Sequence, residues 1–189
     1  MERAIVMKIV KLLLLSIFIT ISVEASLYEK FSINLRNKDY ANACKVGKKI
    51  FFLNEKDEKL LSIIGQACLK ADYIYITALI QSRLRTTSDA RTNAVIFSSL
   101  LLQKRLIYQF MYDDVDISSL SLPISDHPLS DTFTAIRDKK YKLVSQYPKV
   151  IEFRKNHNLY KVYIDYTKRG KIIIEISDIE NNKTIHRYL

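Results

Sequence analysis

The chain has 189 residues, with 30 Lys and Arg against 20 Asp and Glu, a net charge of +10. Apolar residues make up 48%, with 12 Tyr and 8 Phe, while Gly and Pro number three each. Such a composition can build a substantial core, and it excludes disorder, a turn-rich all-β sandwich and a glycine-built phosphate loop.

The first segment reads as a leader. Lys8 and Lys11 flank the start of an apolar run over 12–23, and Val23-Glu24-Ala25 leads into Ser26. Basic, apolar and small-residue stretches in that order mark a secretory signal, with cleavage expected after Ala25. The run of 12 residues is short of the ~20 needed to span a bilayer; an uncleaved anchor is the alternative. Met7 begins a better signal than Met1, and no Cys follows the run at a lipoprotein-like position. The expected mature chain of 164 residues carries +9. Export to the periplasm or beyond excludes nucleic acid as the partner for that charge. An acidic envelope protein or peptide, an anionic glycan or a membrane surface is favoured instead. The plainer reading is that scattered lysines keep the chain soluble.

Helical periodicity follows. Tyr40, Ala43, Gly47, Ile50 and Phe51 fall at spacings of three and four, predicting a helix over 39–53. Asn54 to Asp57 reads as a turn. Leu60, Leu61, Ile64, Ala67 and Cys68 mark a second helix over 58–70. Folding this hairpin about position 56 brings Cys44 level with Cys68, the only two cysteines. In an exported chain an even pair reads as a disulfide. Ala43, Gly47, Gly65 and Ala67 allow the close helix approach that it needs. Two buried free thiols are the alternative. A catalytic thiol is disfavoured, because no CxxC and no neighbouring His accompanies either cysteine.

Asp39-Tyr40 and Asp72-Tyr73 repeat at a separation of 33 residues, close to the helical-hairpin period of about 34. Four helices are then expected, at about 27–37, 39–53, 58–70 and 72–86. Asp39-Tyr40-x-x-Ala43 resembles the opening of the second helix in tetratricopeptide-type repeats, and Cys44-Lys45-Val46-Gly47 is similar to turns of Sel1-like secreted repeats. Lys38 stands where that pattern has a small residue, and the family's Trp, Leu-Gly and Pro positions are unmatched. The resemblance, over residues 27–86, implies stacked helical hairpins that present a surface to a peptide or protein. Separately from that resemblance, Tyr40, Tyr73, Tyr75 and Tyr108 are the candidate residues of a binding surface.

Ser88-Asp89 is expected to cap a long helix over 90–112. Apolar residues run around most of its circumference, which predicts burial; a partner groove along Phe97, Leu101, Tyr108 and Met111 is the alternative. Residues 113–130 hold four Asp and no Lys or Arg, between a segment of +7 and one of +6. This acidic connector, containing Pro123 and Pro128, is expected to fold back on one basic half. A helix over 131–146, ended by Pro148, precedes a change of period to two. Strands are expected at 150–154, 159–166, 171–177 and 184–189, forming a four-stranded antiparallel meander whose apolar face that helix covers. The fold class is α+β, with segments 1–25, 26–112, 113–130 and 131–189.

Chemistry is sparse. His127, His157 and His186 share no metal-ligand spacing. Asp113, Asp114 and Asp116 lack the glycine and terminal Glu of a calcium loop. No hydrolase, zincin or nucleotide motif is present, and no cofactor or metal is expected. Asn182-Lys183-Thr184, with Glu180 two places earlier, is a candidate glycosylation sequon. The expected function is an exported, non-enzymatic interaction module or envelope-complex subunit. The alternative is an envelope enzyme or inhibitor acting on an anionic wall or glycan polymer.

Overall fold

A computed structural model describes residues 26–53, 55–168 and 170–188. The expected leader and its cleavage site, Asn54 in the expected turn, Arg169 and Leu189 lie outside the described residues. Six helices precede a five-stranded sheet. They are α1 (26–36), α2 (Tyr40–Phe52), α3 (Glu58–Lys70), α4 (Ile74–Ile80), α5 (Ser88–Asp113) and α6 (Pro128–Arg137). A 3-10 turn, Gln81–Arg83, continues α4. The strands are β1 (Lys142–Gln146), β2 (Lys149–Lys155), β3 (Asn158–Asp165), β4 (Lys171–Ser177) and β5 (Lys183–Tyr188).

Side-chain caps start the helices. Asp39 accepts from the Asn42 amide at the head of α2, and Asp57 from those of Lys59 and Leu60 at the head of α3. Each satisfies amides that have no partner within the helix. At α5 the cap is Thr87, one residue earlier than expected, accepting from Ala90 N at 3.1 Å. The helix expected over 72–86 is shorter, since α4 starts at Ile74, passes into the 3-10 turn and gives way to extended backbone at Leu84.

Close helix contact rests on two glycines. A Cβ on Gly47 would lie 2.7 Å from Ile64 of α3, and one on Gly65 2.4 Å from the Phe97 ring of α5. Between α2 and α3, Cys44 and Cys68 form a disulfide with Cα atoms 4.7 Å apart, and both are buried.

The helix expected over 131–146 needs correction. It stops at Arg137, and its last third is strand β1. Lys139 takes φ 55, and Lys140 N bonds back to Ala135 O at 2.8 Å, a left-handed stop that usually needs glycine. The sheet accordingly has five strands rather than four, in the order β1-β2-β3-β4-β5, all antiparallel. Asn156 and His157, both at positive φ, turn β2 into β3. Ile151 and Phe153, then Tyr160, Val162 and Ile164, then Ile172 and Ile174 are buried at alternate positions, so one face turns inward. Helix α5 packs against β2 and β3 on that face. A single buried cluster runs from Phe31 in α1 to Tyr188 in β5.

Phe97, Leu100, Ile107 and Met111 bury the inner side of α5, the core reading of that helix. Towards its C-terminus the Tyr108, Tyr112 and Tyr166 rings form a ladder, with centroids 5.7 and 6.0 Å apart, against the β3–β4 connection. The acidic connector folds back as expected. Ile117 is buried, Gln103 donates to Pro123 O at 2.8 Å, Asp114 pairs with Lys149 and Asp116 lies 3.5 Å from Lys139.

Candidate functional site

Two clefts gather the side chains that the sequence singled out. The first is a groove of about 700 Å³ lined by residues of α2 together with Tyr73, Tyr75 and Ile76 at the start of α4. Burying Ala43, Cys44, Gly47 and Ile50 on one side of α2 leaves Lys45, Lys48 and Lys49 for the rest of its surface. Phe52, 61% exposed, and Tyr75, 50% exposed, complete the lining, which contains no acidic side chain. Lys48 Nζ sits 5.6 Å from the centroid of the Tyr75 ring and 5.9 Å from that of Phe52, so both ring quadrupoles hold its ammonium in the groove. None of the three lysines takes part in an ion pair among the described residues. The groove offers positive charge beside apolar aromatic surface.

The second cleft, about 490 Å³, lies where α2, α3, α5, the connector and β5 meet, and Tyr40, Gln66, Lys70, Ser125, His127 and His186 line it. Asp72, at φ 64, does not cap α4, whose N-cap position is Tyr73 without a side-chain bond. Its carboxylate crosses instead to β5, accepting from His186 Nδ1 at 2.9 Å and from Arg187 N at 3.0 Å. His127 lies alongside and accepts from Leu129 N through Nδ1 at 3.2 Å, capping α6. That bond requires the neutral ring with its proton on Nε2. Burial lowers the His127 pKa to about 4, against the upward pull of Asp72. Tyr188 is buried, and burial followed by the charge and hydrogen bond of Asp72 holds its pKa far above the ordinary value. Close by, Asp131 is buried, accepts from Tyr160 at 2.9 Å and pairs with Lys155.

Asp72 and His186 have the relation of an orienting carboxylate to a general base. No hydroxyl or thiol hydrogen-bonds either imidazole among the described residues. Among them, too, no three His, Cys, Asp or Glu side chains are placed to hold a metal, and no helix is long and apolar enough to cross a membrane.

The candidate tyrosines separate. Tyr73 and Tyr75 line the groove, Tyr40 lies under Lys70 in the junction cleft, and Tyr108 packs beside Gly170 at the sheet. Asn182 is exposed in the β4–β5 turn, its amide donating to Asp178 at 2.9 Å and to Glu180 at 3.3 Å. Sequence reasoning missed the grouping of Asp72, His127 and His186. They are far apart along the chain, and only the docking of β5 beside the α3–α4 turn unites them. Comparison with protein families, curated proteins and solved structures finds no match to this chain.

Proposed function

We propose that this protein is an exported, non-enzymatic interaction module that captures an acidic segment of an envelope partner in the groove between α2 and α4. The observation that carries the reading is the lysine trio, in no ion pair among the described residues, in one groove with the exposed Phe52 and Tyr75 rings. Lysines beside rings attract carboxylates, and the apolar rims take the side chains between them. Export is supported by the basic-apolar-small order of the first 25 residues and by the disulfide, which persists in oxidising compartments. The resemblance to tetratricopeptide-type repeats is supported by spacing. The α1–α2 and α3–α4 turns, measured at Arg36 and Lys70 or at Tyr40 and Ile74, lie 34 residues apart.

The test uses a labelled peptide of alternating Glu and Leu and fluorescence anisotropy. The mature protein binds it in a salt-dependent manner. Lys48→Glu with Lys49→Glu weakens binding by about tenfold or more, the scale of losing two close charge pairs, while Lys30→Glu with Arg36→Glu on α1 changes it little. Equal losses in both double variants would leave only general charge attraction, and absence of binding at low salt would remove the groove as a peptide site.

The alternative, an envelope enzyme or inhibitor acting on an anionic wall or glycan polymer, draws on the Asp72–His186 pair in the junction cleft. Release of soluble fragments from purified wall polymer, abolished by His186→Ala, is the result that would favour it.

A further inference from the structure

The junction that holds β5 and α6 to the end of α3 is built from two imidazoles and one carboxylate, and this has a consequence independent of what the groove binds. Three elements meet there through few bonds. The α3–α4 turn supplies Asp72, β5 supplies His186, the Arg187 amide and Tyr188, and the start of α6 supplies His127. His186 and Tyr188 rings stack at 6.1 Å, and His127 lies 5.8 Å from Tyr188. We propose that this junction is an acid-sensitive clasp, in which protonation of His127 uncaps α6 and loosens β5 and α6 from the helical half.

The chemistry is a conflict over one nitrogen. His127 Nδ1 accepts the Leu129 amide, and an imidazolium, a donor at both nitrogens, has no acceptor to offer. Proton uptake therefore leaves the first free amide of α6 facing a donor and sets a positive charge at a helix N-terminus, the unfavourable end of its dipole.

The surrounding charges set where this happens. Asp72 from the α3–α4 turn and Asp131 from α6 favour the proton; burial and His186 from β5 oppose it and win. The Leu69 carbonyl of α3 also favours it. Tyr160 of β3 and Lys155 of β2 engage Asp131, and Tyr188 is neutral. Asp126 and Lys70 line the same cleft. The hairpin of α2 and α3 is held by its disulfide, so the response is confined to the β5 and α6 side of the junction.

Hydrogen exchange by mass spectrometry, corrected for intrinsic rates and run on the mature protein between pH 7 and pH 4, tests the clasp. Exchange at 128–137 and 183–188 rises by about tenfold, the scale of a lost N-cap, while 40–70 stays protected. His127→Asn, which keeps a capping oxygen but cannot titrate, removes the rise. In parallel, imidazole nitrogen shifts of the unaltered protein follow His127 directly. They show the Nε2–H tautomer at pH 7 and a midpoint that coincides with the exchange rise. The clasp is refuted by a rise that survives in the Asn variant, by one spread over the whole chain, by a His127 midpoint separated from it, or by protection that is flat to pH 4.

Discussion

Gly65 sits in the middle of α3 where a side chain has no room, with the buried Phe97 ring directly over it. Gly65→Ala therefore forces Phe97 from its place, and overpacking of this kind costs about 1–3 kcal/mol, more than the gain in helix propensity of about 1 kcal/mol. A lower thermal midpoint in the Ala variant is the expected outcome, and one equal to or above that of the parent would contradict the packing. At the same scale, the two Asp-Tyr pairs show how far single residues could be read. The pairs are identical in sequence, and an Asp just ahead of a helix commonly caps it. Asp39 is one. Asp72 falls one position earlier relative to its helix, in the left-handed turn where the first hairpin has Lys38, and its carboxylate finds a partner 114 residues away. A local signal carries no information about so remote a partner.

At the scale of elements, the α2–α3 hairpin was legible because everything that shapes it is local: caps, apolar spacing, a polar turn and two cysteines placed symmetrically about it. The disulfide closes a separation of 24 residues. Replacing Cys44 and Cys68 together by Ala should lower stability by about 3–4 kcal/mol in the chain-entropy account. Chemical denaturation of the double variant measures this, and a change below about 1 kcal/mol would mean that the unfolded hairpin keeps its ends together without the bond. Strand β1 was illegible for the opposite reason. Its five residues are almost wholly exposed, so burial imprints no period of two, and the stop before it is a lysine rather than a glycine. A register shift between Leu143 and Ser145 and the flanking Lys142 also blunt this open edge against pairing with other chains. Lys142→Val should accordingly increase self-association in sedimentation velocity, and an unchanged monomer peak at high concentration would argue that the bulge alone protects the edge.

Across the whole molecule, the α+β class was legible in the change of period after Pro148, and the fold-back of the connector in its charge. Cleft positions were not, because they depend on how the sheet docks. Docking also fixes the pH response. The ordinary His value is 6.5, and His127 in the folded chain is held at about 4. Between those values the unfolded chain binds more protons, so stability falls as pH drops from 6.5 towards 4 and is untouched above that window. The penalty reaches at most about 3 kcal/mol. Glu58, which accepts the amides of Arg85, Thr86 and Thr87, is held down to about 2 from 4.5. It withdraws its support only as pH falls through that lower window. Melting curves at pH 7 and pH 4.5 should show a larger drop for the parent than for His127→Asn; parallel drops would place the acid sensitivity elsewhere. Intact mass of the chain from its native host tests Asn182, since an attached glycan adds mass that Asn182→Gln abolishes.

The ladder of Tyr108, Tyr112 and Tyr166 joins the end of α5 to the β3–β4 connection, in a chain without tryptophan. Excitation absorbed by one phenol then has no indole acceptor to drain to, and its hop from Tyr112 to Tyr166, whose rings are tilted by 46°, turns the polarisation before emission. The protein thus carries a label-free optical gauge of whether its sheet is seated. Depolarised ultraviolet emission marks the docked form, and recovery of polarisation marks separation of the rings.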